Sequence, residues 1–352
     1  MDGPDRPRRI TILYNTDYDA ELTTGSDGSV IASVSAVQAS AQAIAAALEE
    51  SGFTTELIGH HGLEVDELIV RLRRDRPELV FNLCESMAGD SRNEPTMTGL
   101  LDLYKIPYTG NGTLALGSCL HKVRTKDILR GRGVATPPHR FLRNAEDLAD
   151  PGLDALDYPW FLKLAHEDAS VGITSENAVK TPAALRARAA AMMVEFSQPV
   201  LAERFIAGRE LNVTLIGNGA ELEVLPLHEI DFSSMPADRP NIVSYAAKWE
   251  ETHVEYLGTT PVRLGEKDAA LIARASEVAR AAWDALGLVD YGRVDLRVDA
   301  DGQPWVIDVN PNCDISPGTG AVRAAAAMGL SYPQVIERIA LVAWRRARRA
   351  RA

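Results

Sequence analysis

The residues between 292 and 310 combine side-chain types that can do chemistry with a spacing that brings them together. Gly292-Arg293-Val294-Asp295-Leu296-Arg297-Val298 is followed by a turn at Asp299-Ala300-Asp301-Gly302 and by Trp305-Val306-Ile307-Asp308-Val309-Asn310. This alternation around a turn reads as a β-hairpin. Side chains alternate along a strand, so Arg293 and Asp295 share one face, as do Asp308 and Asn310; Val294, Leu296, Val298, Ile307 and Val309 take the other. Folding about the turn sets Asp295 opposite Asp308, with facing Cβ atoms about 5 Å apart. Asp299 and Asp301 are turn formers. Two carboxylates and an amide oxygen on rigid strands suit Mg2+, which takes few carboxylates and shares the oxygens of a nucleotide phosphate. Without a cation the two acids would repel each other. The plainer alternative makes Asp295 and Asp308 edge-strand charges.

The surrounding pattern supplies elements to hold such a site. Ile10–Tyr14, Thr54–Ile58 and Leu79–Leu83 read as strands, separated by an alanine-rich helix over Val30–Ser51 and a helix over Val65–Arg74, with Ile106–Gly110 closing the region. This is βαβ order and predicts a doubly wound α/β domain. From Lys122 the pattern changes: helix Val123–Arg130, strand Trp160–Leu164, helix Pro182–Phe196, strand Val200–Phe205, and a hairpin of Glu210–Ile216 and Glu221–Pro226 around Gly217-Asn218-Gly219. Helices Asp268–Leu286 and Tyr332–Arg349 bracket the acidic hairpin. A chain of 352 residues exceeds one core, and the borders are expected near 116 and 204, giving units 1–115, 116–203 and 204–352.

Composition narrows the function classes. A net charge of -12 opposes general nucleic-acid binding, which needs cations to neutralise phosphates. The absence of any run of about 18 uncharged apolar residues excludes a spanning helix, and a polar start without an apolar signal core indicates the cytoplasm. Cys84, Cys119 and Cys313 lack metal or disulfide spacing and read as buried thiols. The arginine-rich end, 344–351, reads as the solvated end of the last helix, with an anionic surface as the alternative partner.

No GxxxxGK[ST] and no strand-turn GxGxxG is present, so a nucleotide site must be built otherwise. Lys122 within His121-Lys122-Val123-Arg124-Thr125-Lys126, Lys163 in its strand, the loop His166-Glu167-Asp168-Ala169-Ser170-Val171-Gly172-Ile173, and Leu201-Ala202-Glu203-Arg204-Phe205-Ile206-Ala207-Gly208-Arg209-Glu210 precede the hairpin in fixed order. Together these blocks resemble the ATP-grasp superfamily, specifically its D-alanine–D-alanine ligase-like branch, over nearly the whole chain. The resemblance implies an α/β ATP-grasp fold, in which the N-terminal doubly wound domain is followed by two α+β domains that clasp ATP. It also implies Lys122 and Lys163 on the phosphates, Ser170 over them, Glu203 near the adenine amine, Phe205 and Ile206 in the hinge, and Glu210 on the ribose. Asp295, Asp308 and Asn310 would hold Mg2+, two ions with Mn2+ as the substitute; the Asp308 position is usually Glu in the family.

A carboxylate attacking the γ-phosphorus, neutralised by cations, would give an acyl phosphate and ADP, and an amine would then form the amide. Arg293, with Lys248, Ser170 and Thr319, is the expected catalytic set. The amino-acid pocket departs from true D-alanine–D-alanine ligases. Ser33 replaces the acid expected before Val34-Ser35, Ala169 replaces the lid serine, and Lys248-Trp249 replaces Lys-Tyr. Glu85, Arg92 and Glu94, with Trp249, are therefore expected to form a different substrate pocket; their alternative is a solvated loop. The expectation is an ADP-forming ligase of specialised metabolism joining a small-molecule acid and amine, without nucleic-acid or membrane partners, as the family's dimer. The alternatives are a cell-wall D-alanine–D-alanine ligase, an ATP-grasp phosphotransferase or carboxylase, and a nucleotide sensor without catalysis.

Overall fold

The computed structural model describes residues 6–16, 29–167 and 170–350, with side chains in the first helix from residue 37 onward. Strands β1 (Arg9–Asn15), β2 (Thr54–His60) and β3 (Leu79–Leu83), interleaved with helices α1 (Ser29–Glu50) and α2 (Val65–Asp75), form a parallel sheet of order β2-β1-β3. Strands β1 and β3 bury both faces, as parallel strands do, while the edge strand β2 stays half-exposed. Ile10, Ile12 and Phe81 pack toward α1. Leu13, Ile58 and Val80 pack toward α2 and the following helix α3 (Glu94–Leu103). The closing segment 106–110 adds only one bridge, between Tyr108 and Val80, because the chain turns at Gly110 (φ +86°) against Asn312 and Tyr291.

Helices α4 (Thr113–Leu120) and α5 (Lys122–Gly131) lead to an antiparallel sheet. It is built from β4 (His139–Leu142), β5 (Trp160–Leu164), β6 (Ala178–Val179) and β7 (Val200–Arg204), in the order β4-β7-β5-β6, with helices α6 (Ala145–Leu148) and α7 (Pro182–Phe196) packed on it. Helix α7 begins where the sequence says it should: the Thr181 side chain accepts from Ala184 N at 3.2 Å and Pro182 fills the first turn, a cap worth about 1 kcal/mol.

The third sheet carries the acidic hairpin. Its strands are β8 (Arg209–Ile216), β9 (Glu223–Val224), β10 (His228–Asp231), β11 (Thr260–Arg263), β12 (Tyr291–Val298) and β13 (Pro304–Asn310), ordered β11-β10-β8-β12-β13 with β9 beside β8. Short helices α8 (Tyr245–Trp249) and α9 (Val254–Leu257) precede β11, and α10 (Ala269–Leu286) covers the apolar face. The expected hairpin arm at 221–226 shrinks to the two residues of β9, since Gly219–Glu221 forms a 3-10 turn.

After α11 (Gly320–Ala326), helix α12 (Tyr332–Arg349) returns to the first sheet. Val335, Ile336, Ile339 and Ala343 share one core with Ile10, Ile12 and Leu48. This corrects the solvated-end reading for Arg346, while Arg345 and Arg349 stay exposed. Arg346 donates to both oxygens of the fully buried Asp290 at 2.9 and 2.8 Å, and Arg345 and Arg349 meet Glu221. Among the described residues no helix is long and apolar enough to cross a membrane. Cys84, Cys119 and Cys313 are buried thiols outside any disulfide; burial pushes the Cys313 thiol up to about 12, which keeps it protonated.

Candidate active site

Strand alternation puts Arg293, Asp295 and Arg297 on the face of β12 opposite α10, and the partner strands bring polar groups to them. Asp295 stands opposite Asp308, and Arg293 opposite Asn310. The pairing slips between Asp295 and Leu296, so Val306, not Ile307, faces Leu296. Val306 therefore enters the core cluster and Ile307 leaves it, a correction to its expected place on the apolar face. A one-residue bulge reverses the faces on either side of it.

Asp295 is held from three sides. Arg293 donates to its two oxygens at 2.7 and 2.9 Å, Asn212 on β8 donates at 2.8 Å, and Asn310 donates at 3.0 Å. Because Asn310 spends its Nδ2 on Asp295, its Oδ1 remains the acceptor end beside the carboxylates. Asp308 is half-buried with the Lys122 ammonium 3.4 Å from each oxygen. Burial works against its ionised form, but Lys122, then Lys163 and Lys126, hold its carboxyl below the usual range. The Arg293 pKa is raised: burial would lower it, and Asp295 more than offsets this.

The opposing sheet contributes a buried lysine, Lys163, and a buried acid, Glu203, and helix α5 brings a second buried lysine, Lys126. Glu203 on β7 meets Lys163 at 2.8 Å and Lys126 at 2.5 Å. Lys163 also donates to the Ile307 carbonyl at 3.1 Å, the group that the bulge turns outward, and Lys126 to Thr136 Oγ1 at 3.1 Å. Burial disfavours the Glu203 carboxylate, yet Lys126 and Lys163 hold its pKa below the ordinary value. For Lys126 burial dominates over Glu203, and its pKa is lowered. The two ammonium groups join the halves of the cleft, leaving a cavity of only ≈ 10 Å³ among Lys122, Lys126, Ile307 and Asp308. Sequence reasoning did not assign Lys126; its spacing of four from Lys122 on one helix face was the available signal.

Beyond the hinge, Glu210 accepts from Arg297 at 3.0 Å. Arg297 further donates to the Asn241 and Gly208 carbonyls at 2.8 and 3.0 Å, and its Cζ lies 4.9 Å from the Phe205 ring centroid. Burial raises the Glu210 pKa although Arg297 opposes this. Phe205, Gly208, Met235, Arg239, Asn241 and Arg297 line a cavity of ≈ 360 Å³ there, while the neighbouring Ile206 is buried. Arg297 was also unassigned, although it continues the period-two row of Arg293 and Asp295.

The remaining expected residues are distributed around the rim. Ser170, at φ +64°, donates to the Val243 carbonyl at 3.3 Å, and Tyr245 N donates to Ile173 O at 3.0 Å, so the loop end docks at the start of α8. Lys248 and Trp249 end α8; the ammonium is 5.4 Å from the indole ring, which is 51% exposed and so faces solvent. The Thr319 hydroxyl lies 3.0 and 2.8 Å from the Asp314 and Ser316 carbonyls. Glu85 and Glu94 both lie within electrostatic reach of buried Tyr291, two residues before Arg293. Arg92 does not join them: it is exposed and forms a two-point pair with Asp90, at 2.9 and 2.6 Å. Ala169 and the side chain of Ser33 lie outside the described residues.

Known proteins resemble this chain in sequence and in fold. The family model described as D-ala D-ala ligase C-terminus matches residues 128–341. The chain is 33% identical over 317 residues to an uncharacterised protein of Sinorhizobium fredii, covering 87% of this chain and 88% of that one. It is 30% identical over 335 residues to a D-alanine–D-alanine ligase of Chromohalobacter salexigens, covering 95% and 94%. A D-alanine–D-alanine ligase from Bacillus anthracis, solved in complex with ATP, matches with TM-score 0.74 at 21% identity over 97% of this chain and 99% of that one. A D-Ala:D-Ser ligase from Enterococcus faecalis matches with TM-score 0.68 at 20% identity, over 96% and 100%. At these identities the two solved structures speak for the fold.

Proposed function

The chain belongs to the D-alanine–D-alanine ligase family, and we propose that it joins an amino-acid-like acid to an amino-acid-like amine other than the D-alanine pair, in specialised metabolism. It is an ATP-dependent, ADP-forming carboxylate–amine ligase with small-molecule substrates. The observation that carries this reading is the convergence of Arg293, Asp295, Asp308 and Asn310 on one sheet with Lys122 and Lys126 from α5 and Lys163 from the opposing sheet.

Hard oxygen donors at Asp295, Asp308 and Asn310 fit Mg2+, which when bound supplies charge neutralisation for the transferring phosphoryl group. Lys122 and Lys163 would add their charges to the phosphates, Lys163 by leaving the Ile307 carbonyl it now holds. Glu203 would meet the adenine amine, with Phe205 and Ile206 at the hinge and Glu210 at the ribose. The acid's carboxylate attacks the γ-phosphorus, the bond to the β-phosphate oxygen breaks, and ADP leaves. The amine attacks the resulting acyl phosphate and displaces phosphate. The Arg293 guanidinium would stabilise the oxyanion of that second step. Ser170 in the 166–173 loop would cover the phosphates, with Lys248 beside it, and Thr319 would support the acyl end.

Support for substrates other than two D-alanines comes from the solvent-facing Trp249 and from Glu85 and Glu94 bordering Tyr291. A cytoplasmic enzyme, dimeric through the N-terminal domain and without nucleic-acid or membrane partners, completes the proposal. Hydroxylamine trapping during turnover with Mg-ATP and pairs of amino acids tests it. A hydroxamate and an amide product are expected; phosphorylation or carboxylation without hydroxamate would overturn the ligase mechanism, and robust dipeptide from D-alanine alone would overturn the substrate assignment.

A further inference from the structure

The polar row that contains Asp295 does not stop at the metal-type residues. Read across the sheet, Asp308, Asp295, Asn212, His228 and Arg263 stand opposite one another in register on β13, β12, β8, β10 and β11. Directly opposed residues share a face. Leu227 and Leu264, the chain neighbours of His228 and Arg263, lie in the core cluster on the far side, which fixes both polar side chains on the face of the reaction centre.

Helix α11 packs over β8 through its alanines, Ala321, Ala324 and Ala325. Arg323 lies one turn past Thr319, to whose carbonyl its backbone N–H donates at 2.9 Å. Its side chain reaches electrostatically to Arg293 on one side and His228 on the other. Desolvation, and after it Arg293, lowers the Arg323 pKa, even though the residue is exposed at the mouth of the cleft.

These cations differ from their neighbours. On the same sheet and its lid, Arg209 pairs with Glu229 and Asp268, Arg239 with Glu255, Arg293 with Asp295 and Arg297 with Glu210. Among the described residues, no carboxylate is hydrogen-bonded or ion-paired to Arg263 or Arg323; the Arg323 guanidinium donates to the Gly318 carbonyl. His228 Nδ1 is 3.2 Å from the Pro226 carbonyl, which can only accept, so the proton sits on Nδ1 and Nε2 is left as an acceptor. Burial first, then Arg323 and Arg263, lowers the His228 pKa and keeps the ring neutral. In a protein of net charge -12, uncompensated positive charge beside the reacting groups marks a place for a ligand anion.

We propose that Arg263, His228 and Arg323 form a subsite for an additional anionic group of the substrate, a carboxylate or phosphate carried beyond the carboxylate and amine that form the amide. This rests on the ligase reading above and narrows its substrate class to acidic amino-acid-like molecules. The guanidiniums supply charge and paired donors, and the exposed Tyr256 lies within electrostatic reach of Arg323.

The test is calorimetric titration of the full chain, with Mg2+ and a non-hydrolysable ATP analogue, by D- and L-aspartate, glutamate and O-phosphoserine against asparagine, glutamine and serine. An acidic probe is expected to bind at least about tenfold more tightly than its neutral counterpart. The carboxylate and phosphate arms identify which anion fits. Arg323→Gln and Arg263→Gln should each erase most of that preference and Arg323→Lys should retain part of it, with affinity for the ATP analogue unchanged in all three. Equal binding of acidic and neutral probes, or a preference surviving both glutamine variants, overturns the subsite. Parallel ADP-release assays keep the two readings apart, since an acid preference without turnover on any amino-acid pair would count against the ligase reading while the subsite stands.

Discussion

Arg293 donates to both carboxylate oxygens of Asp295, two residues along the same strand face. The pair orients the guanidinium toward the cleft. Arg293→Ala is expected to lower kcat by about 100-fold or more while KM for ATP changes by less than about threefold, because the charge it stabilises develops during acyl attack. Arg293→Lys keeps the charge and loses the two-point geometry, so it should recover only part of the rate. Steady-state ADP release checks both; a selective rise in KM for ATP with normal kcat would remove Arg293 from the reacting centre.

Asp308 is the carboxylate that three lysines hold ionised. Asp308→Asn retains the shape and removes the charge, leaving Lys122 facing a neutral amide. Turnover should fall by about 100-fold or more at every magnesium concentration, and Asn310→Ala should shift the Mg2+ midpoint for nucleotide binding upward. Magnesium titrations of binding and rate decide this, and near-normal rates at saturating Mg2+ would refute the assignment.

The Lys126–Glu203 pair is buried on both sides. Lys126→Met removes one of the two ammonium groups on Glu203 and leaves Lys163 at 2.8 Å, so it should cost about 1.5–3 kcal/mol in urea unfolding. The pH dependence has a defined sign. Glu203 has a folded pKa below its ordinary 4.5, so its stabilising contribution is complete above that value and is lost as pH falls through the lower folded pKa. Glu203→Gln should therefore flatten the loss of stability on acidification below pH 4.5. An unchanged acid limb of the stability curve in that variant would show that other carboxylates govern it.

Asp290 links parts of the chain distant in sequence: it accepts from Gly110 N at 3.0 Å, Asn218 at 2.8 Å and both donors of Arg346. Arg346→Ala leaves this buried carboxylate short of its countercharge and should destabilise the protein by about 3–5 kcal/mol, read by urea unfolding. Because neither residue borders the nucleotide cleft, KM for ATP should stay near its normal value in the folded fraction. A stability loss below about 1 kcal/mol would mean that water replaces the guanidinium freely.

What the sequence determined by itself was local and periodic. The alternation over 292–310 placed Asp295 opposite Asp308, and the caps at Thr181 and Ser331 set the starts of α7 and α12. The βαβ order gave the first sheet. Each follows from a repeat of two or 3.6 residues, or from an end signal, that operates within one element. Tertiary structure decided what depends on the relation between elements. The slip after Asp295 moved Val306 into the core and turned the Ile307 carbonyl toward Lys163, and Lys126 found Glu203 across the cleft. Helix α12 returned to the first sheet, and Arg323 came to lie beside His228. A strand's period tells which residues share a face, but the bulge, the sheet order and the packing of α11 and α12 are fixed only when separate apolar surfaces compete for one another, so the meeting of residues 30 to 300 positions apart is a property of the packed whole.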